Sequence, residues 1–107
     1  MPATPADISL FEEDGAYVLR DQNGMALYTY DRDVDGQSRC VDACSKKWPP
    51  VLASAGATAV VGEWKTMKRG DAQQWTFRGK PVYTYAQDAP GGKKGDGVDG
   101  LWHLITP

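Results

Sequence analysis

The acidic stretch at residues 31–42, DRDVDGQSRCVD, has the residue types and spacing of a cation-binding loop. Asp31, Asp33 and Asp35 fall at positions 1, 3 and 5, a glycine falls at position 6, and Asp42 falls at position 12. Ca²⁺ takes several oxygen ligands from a loop that turns at one glycine, usually with Glu at position 12. One hypothesis is a calcium-type site at these four carboxylates. The alternative is an exposed β-turn, because Asp and Gly favour turn geometry.

A second candidate feature is a repeated aromatic motif. LYTYDRD, residues 27–33, recurs as VYTYAQD, residues 82–88, with a matched glycine ahead of each copy and a tryptophan 15 or 14 residues after the motif aspartate. Strand preference explains Tyr-Thr-Tyr alone but not the matched flanks. The sequence therefore predicts an internal duplication whose two copies pack together, since one copy does not cover its own apolar face. The predicted contact layer, called the seam below, comprises Tyr28, Tyr30, Asp33, Trp48, Tyr83, Tyr85, Asp88 and Trp102.

The motif aspartates have two interpretations. Asp33 and Asp88 each follow an aromatic residue by three positions at the exit of a predicted strand. We expect each carboxylate to cap a turn by accepting backbone N–H groups. The alternative is a carboxylate paired with a tyrosine hydroxyl in a ligand groove between the copies. If a pseudo-twofold axis relates the copies, four tyrosine rings are expected to share one layer.

The two cysteines, Cys40 and Cys44, are spaced C-x3-C. Together with the single histidine, His103, they supply too few ligands for a structural zinc site. Their spacing is that of neither thioredoxin-like motifs nor haem attachment. Helical geometry would place their Cα atoms about 6 Å apart, near the upper end of the disulfide range, so a bridge suits a distorted turn. We expect a structural disulfide, with a redox or thiolate–metal role as the alternative.

Hydrophobic alternation predicts a mainly β fold: two pseudo-repeated antiparallel β units with one short helix. The predicted strands are 8–13, 16–20, 58–67, 73–77 and 101–105, together with the two motif strands. Asn23-Gly24 has the composition of a hairpin turn. The helix is predicted at 40–48, where Pro49-Pro50 must end it.

The length fits one domain, which the sequence divides into four parts. These are a tether or edge strand at 1–14, repeat unit 1 at 15–52, a connector with a strand at 53–69 and repeat unit 2 at 70–107. We expect a monomer.

Composition excludes several classes of protein. The net charge is −2 and the basic residues are scattered, which argues against a nucleic-acid partner. No apolar run approaches the roughly 18 residues of a transmembrane helix. The first ten residues lack the basic start and apolar stretch of a signal peptide, and PATPAD resembles the tether after a processed export signal. The protein is therefore either cytosolic or exported, and we expect an exported protein whose signal segment is absent from this sequence.

The pattern GMALYTYDRD…C…CSKKWPPVL followed by QWTFRGKPVYTYAQD…GLWHLITP resembles a bacterial secreted-repeat lipoprotein family marked by a Tyr-x-aromatic-x-x-Asp motif. The resemblance runs from about Ala16 to Pro107. It implies export to the periplasm or cell envelope, often with a lipid anchor, and assigns no activity. A lipid-attachment cysteine is missing from this sequence.

Three functions follow as hypotheses, and the absence of nucleophile-elbow, phosphate-loop and dinucleotide motifs disfavours an enzyme. The first is a non-enzymatic envelope protein that binds another protein, a glycan or a small ligand at the seam; exposed Tyr and Trp side chains would favour it. The second is a metal-binding protein that uses the acidic loop, with calcium as the candidate ion. The third is an electron-transfer accessory that uses the cysteine pair or the Tyr/Trp cluster.

His103 is expected to be a packed or hydrogen-bonded residue.

Overall fold

A computed structural model describes residues 4–34, 36–54 and 60–106. In this part of the chain the fold is mainly β, with antiparallel strand pairing and one short α-helix, as predicted. The elements are β1 (Ile8–Glu13), β2 (Ala16–Asp21), β3 (Tyr28–Tyr30), α1 (Ala43–Lys47), β4 (Trp64–Arg69), β5 (Ala72–Phe77), β6 (Lys80–Pro81), a 3-10 turn (Val98–Gly100) and β7 (Trp102–Leu104).

Tight hairpins connect the local strand pairs. β1 and β2 pair in full register across Asp14-Gly15, and both turn residues have positive φ (51° and 81°). β5 and β6 are joined by Arg78-Gly79, whose φ angles are also both positive (53° and 85°). Two successive positive φ angles match the right-handed twist of the flanking strands, which is why such turns favour glycine at the second position.

Each motif copy pairs with a segment of the other repeat, but the second copy, predicted as a strand at 82–85, forms only isolated bridges at Tyr83. β3 of the first repeat pairs with β7 at the end of the second, with Tyr28 opposite Leu104. In the second repeat, Tyr83 forms a bridge to Pro50 of the first. The motif strands meet where the Tyr28 N–H donates to the Tyr83 carbonyl (2.8 Å) and the Tyr83 N–H donates to the Tyr28 carbonyl (2.9 Å). This reciprocal pair marks a pseudo-twofold axis, so the repeats interlock rather than stand side by side.

Two groups of buried side chains fill the interior. One lies under the hairpins and contains Ile8, Leu19, Leu27, Val51, Trp64, Trp75, Phe77, Val82 and Ile105. The other surrounds the pseudo-twofold axis and contains Ala26, Tyr28, Cys40, Trp48, Tyr83, Tyr85 and Trp102. The second group holds most of the repeated motif, so the motif builds the contact between the repeats.

Several predicted boundaries differ from the observed ones. The helix predicted at 40–48 covers only Ala43–Lys47, because Asp42 has a φ of 53° and Trp48, which precedes a proline, is extended. The strand predicted at 58–67 begins at Trp64, after a turn in which Val61 pairs back onto Trp64; its first two residues lie outside the described part of the chain.

Candidate functional site

The first tyrosine of each motif copy donates a hydrogen bond to the motif aspartate of the other repeat. The Tyr28 hydroxyl donates to Asp88 Oδ2 and the Tyr83 hydroxyl donates to Asp33 Oδ2, both at 2.6 Å. The second oxygen of each carboxylate accepts a backbone N–H six residues further on, from Arg39 (2.5 Å) and from Lys94 (2.7 Å) respectively. Each aspartate thus closes its own loop and also holds a tyrosine of the other repeat.

Burial governs the protonation of these groups. Removal from water raises the pKa of Tyr28 and of Tyr83 well above the ordinary tyrosine value, and the neighbouring carboxylates raise it further. Burial also raises the pKa of Asp33, although hydrogen bonds from Tyr83 and from the Arg39 N–H act in the opposite direction. The phenols are therefore held neutral, and the Asp33 carboxylate takes up a proton more readily than an exposed aspartate.

Two arginines, Arg20 in the first half of the chain and Arg69 in the second, each donate to backbone carbonyls in a loop of the other half. Arg20, only 4% exposed, donates to the Gly91 and Gly92 carbonyls at 3.1 Å and is held by two 2.8 Å contacts to Glu13. Arg69 donates to the Cys40 carbonyl (2.6 Å). No sequence signal pointed to either role, because an arginine in a strand is ordinarily a solvent-facing residue.

Four seam rings form a continuous stack across the pseudo-twofold axis. Trp48 and Trp102 lie face to face with centroids 3.7 Å apart and planes 3° apart. Tyr30 stacks on the outer face of Trp102 and Tyr85 on the outer face of Trp48, each at 4.2 Å. The predicted layer of four tyrosines is therefore wrong in composition, since the stack contains two tyrosines and two tryptophans.

The other two motif tyrosines meet the stack edge-on. Tyr28 contacts Trp48 with centroids 5.6 Å apart and planes at 80°, and Tyr83 contacts Trp102 at 5.3 Å and 86°. Stacked and edge-to-face pairs are both favourable aromatic geometries, so the cluster is well packed.

The structure brings all eight seam residues together but hides most of them. Seven are at most 8% exposed, and Tyr30 is half-buried. Burial counts against an exposed aromatic recognition surface at the seam. Ligand binding at the seam stays a prediction.

The predicted disulfide is present between Cys40 and Cys44, with Cα atoms 5.1 Å apart. It bridges the distorted entry to α1, next to Asp42, rather than a regular helical turn. Cys40 is fully buried against the seam, whereas Cys44 is half-buried. The bridge therefore fixes the start of the helix to the core.

The carboxylates of the acidic loop have separate partners. Asp33 points into the seam, Asp31 contacts His103 at 2.8 Å, and Asp42 is exposed at the start of α1. Asp35 lies outside the described residues. Within the described ranges no group of three or more His, Cys, Asp or Glu side chains is placed to hold a metal ion. The calcium site stays a prediction that the described carboxylates do not support.

A surface cleft of about 360 Å³ lies beside the seam and takes residues from both repeats. Thr29 and Asp31 come from the first repeat, and Lys80 and His103 from the second. Phe77, Leu104 and Ile105 supply the apolar lining, and Arg78 and Thr106 complete the polar lining. The predicted seam did not include this cleft, because Asp31 and His103 are 72 positions apart and join only through the β3–β7 pairing.

The contact between Asp31 and His103 breaks the internal symmetry. Asp31 lies two residues before Asp33 and His103 directly follows Trp102, so their counterparts in the other half are Ala86 and Pro49. The seam tyrosines, aspartates and tryptophans are matched in both halves. The shared fold therefore does not require the Asp31–His103 pair. A cleft with an apolar lining and a few convergent polar groups is where a binding site is ordinarily sought.

Taken together, these features define a mainly β domain built from two interlocked repeats and closed by buried Tyr–Asp pairs. Residues 11–52 and 54–106 each match the family described as a secreted repeat of unknown function, and the chain belongs to that family. The predicted resemblance is confirmed. No curated protein and no solved structure matches the chain. The disulfide is consistent with an exported protein. Across the described ranges, no helix has the length and apolar character needed to cross a membrane.

Proposed function

We propose that this protein is a non-enzymatic binding module of the periplasm or cell envelope, and that its ligand occupies the cleft beside the seam. The observation that best supports this proposal is the asymmetry of the cleft. Its Asp31–His103 pair has no counterpart in the other half, although both halves share the seam. The membership of a secreted family and the disulfide support an extracytoplasmic site of action.

The lining of the cleft favours a small ligand with an anionic group and an apolar part. Arg78, Lys80 and His103 can each offer an N–H donor, and Asp31 is already engaged with His103. Arg78 is shared with Glu63 (2.7 Å), so Lys80 is the more available cation. Phe77 and Ile105 lie beside these groups and can cover the apolar part of a ligand.

The experiment is an NMR titration of the ¹⁵N-labelled protein with a panel of monocarboxylates that carry aromatic or branched aliphatic tails. We expect chemical-shift changes to cluster on Thr29, Lys80, His103 and Thr106. Lys80→Gln should weaken binding, whereas Lys65→Gln, at an exposed position on β4, should leave it unchanged.

Asp31→Ala provides a sharper test, because it installs the residue of the other repeat at the equivalent position. We expect it to change the affinity for the same carboxylates without changing the melting temperature by more than a few degrees. Shifts scattered over the whole surface, or equal binding by the Lys80 and Lys65 variants, would show that the cleft is not the site.

A further inference from the structure

We propose that the seam is also a one-electron relay, in which an oxidising equivalent enters the ring stack at Tyr30, passes to Trp102 and comes to rest on Tyr83 as a neutral radical. This activity is independent of the cleft and of any ligand bound there. It uses side chains of the described residues alone.

The stack provides a continuous path of π contact. Tyr30 is the half-buried end of the stack. Its ring centroid lies 4.2 Å from that of Trp102, and the two ring planes are 13° apart. Trp102 lies 3.7 Å from Trp48, which extends the same path towards Tyr85. Indole and phenol are the most readily oxidised side chains other than thiols, and the two cysteines are joined in a disulfide. The exposed fraction of Tyr30 makes its end the point of contact with an oxidant.

Tyr83 is suited to hold the oxidising equivalent because Asp33 lies within hydrogen-bond distance and can accept its hydroxyl proton. A phenol that loses an electron becomes a strong acid, and it is stabilised only if the proton leaves with the electron. The Tyr83 hydroxyl lies 2.6 Å from Asp33 Oδ2, and its ring meets Trp102 edge-on at 5.3 Å. Burial makes Asp33 a better proton acceptor by raising its pKa. Ser38 Oγ, at 2.5 Å from the same hydroxyl oxygen, can stay hydrogen-bonded to the radical.

The transfer balances without further groups in the protein. A one-electron oxidant of the peroxyl-radical class takes an electron from the stack, is reduced to a peroxide anion that water protonates, and leaves an indole radical cation on Trp102. Tyr83 then returns an electron to Trp102 while its hydroxyl proton moves to Asp33 Oδ2. The products are neutral Trp102, a neutral tyrosyl radical and a protonated Asp33. A small thiolate or quinol anion from solution then supplies one electron to the tyrosyl radical and leaves as a thiyl or semiquinone radical. The proton returns from Asp33 to the phenolic oxygen.

Packing alone does not require this arrangement. A phenylalanine would fill the same space as Tyr83 without a polar group, and a buried carboxylate is costly unless it is hydrogen-bonded. The chain instead places a carboxylate on the hydroxyl of each edge-on tyrosine. Proton transfer coupled to oxidation is a use for that pair, in addition to its contribution to stability.

The test oxidises the intact, disulfide-bonded protein with a photoexcited ruthenium polypyridyl complex and an electron-accepting quencher. Transient absorption follows the tryptophan and tyrosyl radicals, and high-field EPR of quenched samples identifies the final radical. In wild type we expect a tryptophan radical that decays into a tyrosyl radical whose g-values report a hydrogen bond. The conversion should slow in D₂O, because the proton moves with the electron.

Variants separate the seam from other tyrosines. Tyr83→Phe should remove most of the tyrosyl signal and prolong the tryptophan radical, and Asp33→Asn should slow the conversion and reduce its isotope effect. Tyr17→Phe, at an exposed position on β2, should change neither. Thermal melts check that each variant folds.

Two results would overturn the relay. One is a wild-type radical that resides on Tyr17 or stays on tryptophan. The other is conversion that shows no solvent isotope effect. Loss of the tyrosyl signal in Tyr17→Phe identifies the first result, and the wild-type protein gives the rest, so both decide the matter even if a seam variant fails to fold.

Discussion

At the scale of single residues, the seam depends on two buried carboxylates, each of which accepts a hydrogen bond at both of its oxygens. Asp33 accepts from the Tyr83 hydroxyl and from the Arg39 N–H, and Asp88 accepts from Tyr28 and from the Lys94 N–H. Hydrogen bonds to charged acceptors are stronger than those between neutral groups. Removal of a donor therefore leaves a buried carboxylate oxygen without a partner and lowers the free energy of unfolding. The repeated motif therefore encodes a mutual dependence between the two halves.

Tyr83→Phe should lower the free energy of unfolding by about 1–3 kcal/mol, because Asp33 Oδ2 loses its donor in a buried site. Urea denaturation followed by tryptophan fluorescence measures the change. Tyr17→Phe is the matched control: Tyr17 is 41% exposed, so the same substitution there should fall within about 0.5 kcal/mol of wild type. Equal losses at the two positions would show that the buried pair has no special role.

The raised pKa values of Tyr28 and Tyr83 predict a loss of stability in alkali. Unfolded tyrosine ionises near 10.0, whereas both folded phenols stay protonated at that pH. Above pH 10 the folded state therefore binds more protons than the unfolded state, and the free energy of unfolding falls as pH rises. Thermal melts at pH 9, 10 and 11 measure this slope. The Tyr28→Phe/Tyr83→Phe double variant should show a shallower slope, and an unchanged slope would contradict the assignment.

At the scale of elements, side chains of one hairpin hold a loop of the other repeat. Arg20 on β2 reaches the carbonyls of Gly91 and Gly92, and Arg69 at the end of β4 reaches the Cys40 carbonyl. Each hairpin thus fixes the loop that follows the opposite motif aspartate. The loops carry little secondary structure of their own, so their order depends on these contacts.

Arg20→Met should destabilise the protein by about 3 kcal/mol, near the lower end of the loss for breaking a buried ion pair, since Glu13 keeps some solvent contact. It should also speed amide hydrogen exchange around Gly91–Lys94, the segment that Arg20 holds. Arg78→Met is the control, because the Arg78–Glu63 pair is more than half exposed on both sides and should contribute less than about 1 kcal/mol. Faster exchange confined to residues near β2 would argue against the cross-repeat contact.

The elements differ in how far the sequence predicts them. Local signals located β1, β2 and β5, and the disulfide followed from the cysteine pair with the expected distortion. The pairing of β3 with β7 has no local signal, because it depends on which repeat supplies the partner strand. For the same reason the sequence did not predict the cleft, because its Asp31–His103 contact forms only through that strand pairing. The match of Asp33 to Asp88 predicted a shared role, with turn capping as the expectation and pairing with a tyrosine hydroxyl as the alternative. Both contacts are present at each aspartate, and the partner tyrosine comes from the other repeat.

At the scale of the whole molecule, the duplication is an interlocked pair rather than two units in a row. The first motif strand pairs with β7, and the second motif copy forms a bridge to Pro50 of the first repeat. The ring stack and both Tyr–Asp pairs also cross between the repeats. An isolated repeat would lack a strand partner, two stacked rings and the partner of its own buried carboxylate.

We therefore expect neither half of the chain to fold alone. Separate fragments of residues 1–53 and 54–107 should each give the narrow NMR dispersion of an unfolded chain. An equimolar mixture should recover the dispersed spectrum of the intact protein, because the strand pairs and Tyr–Asp contacts re-form between fragments. In the mixture, Asp88→Asn in the second fragment should weaken association, since it alters the acceptor for Tyr28 of the first. Asp71→Asn, at the exposed β4–β5 turn, should not. A fragment that folds by itself would show that the repeats are autonomous and that their interlocking is a secondary feature of the fold.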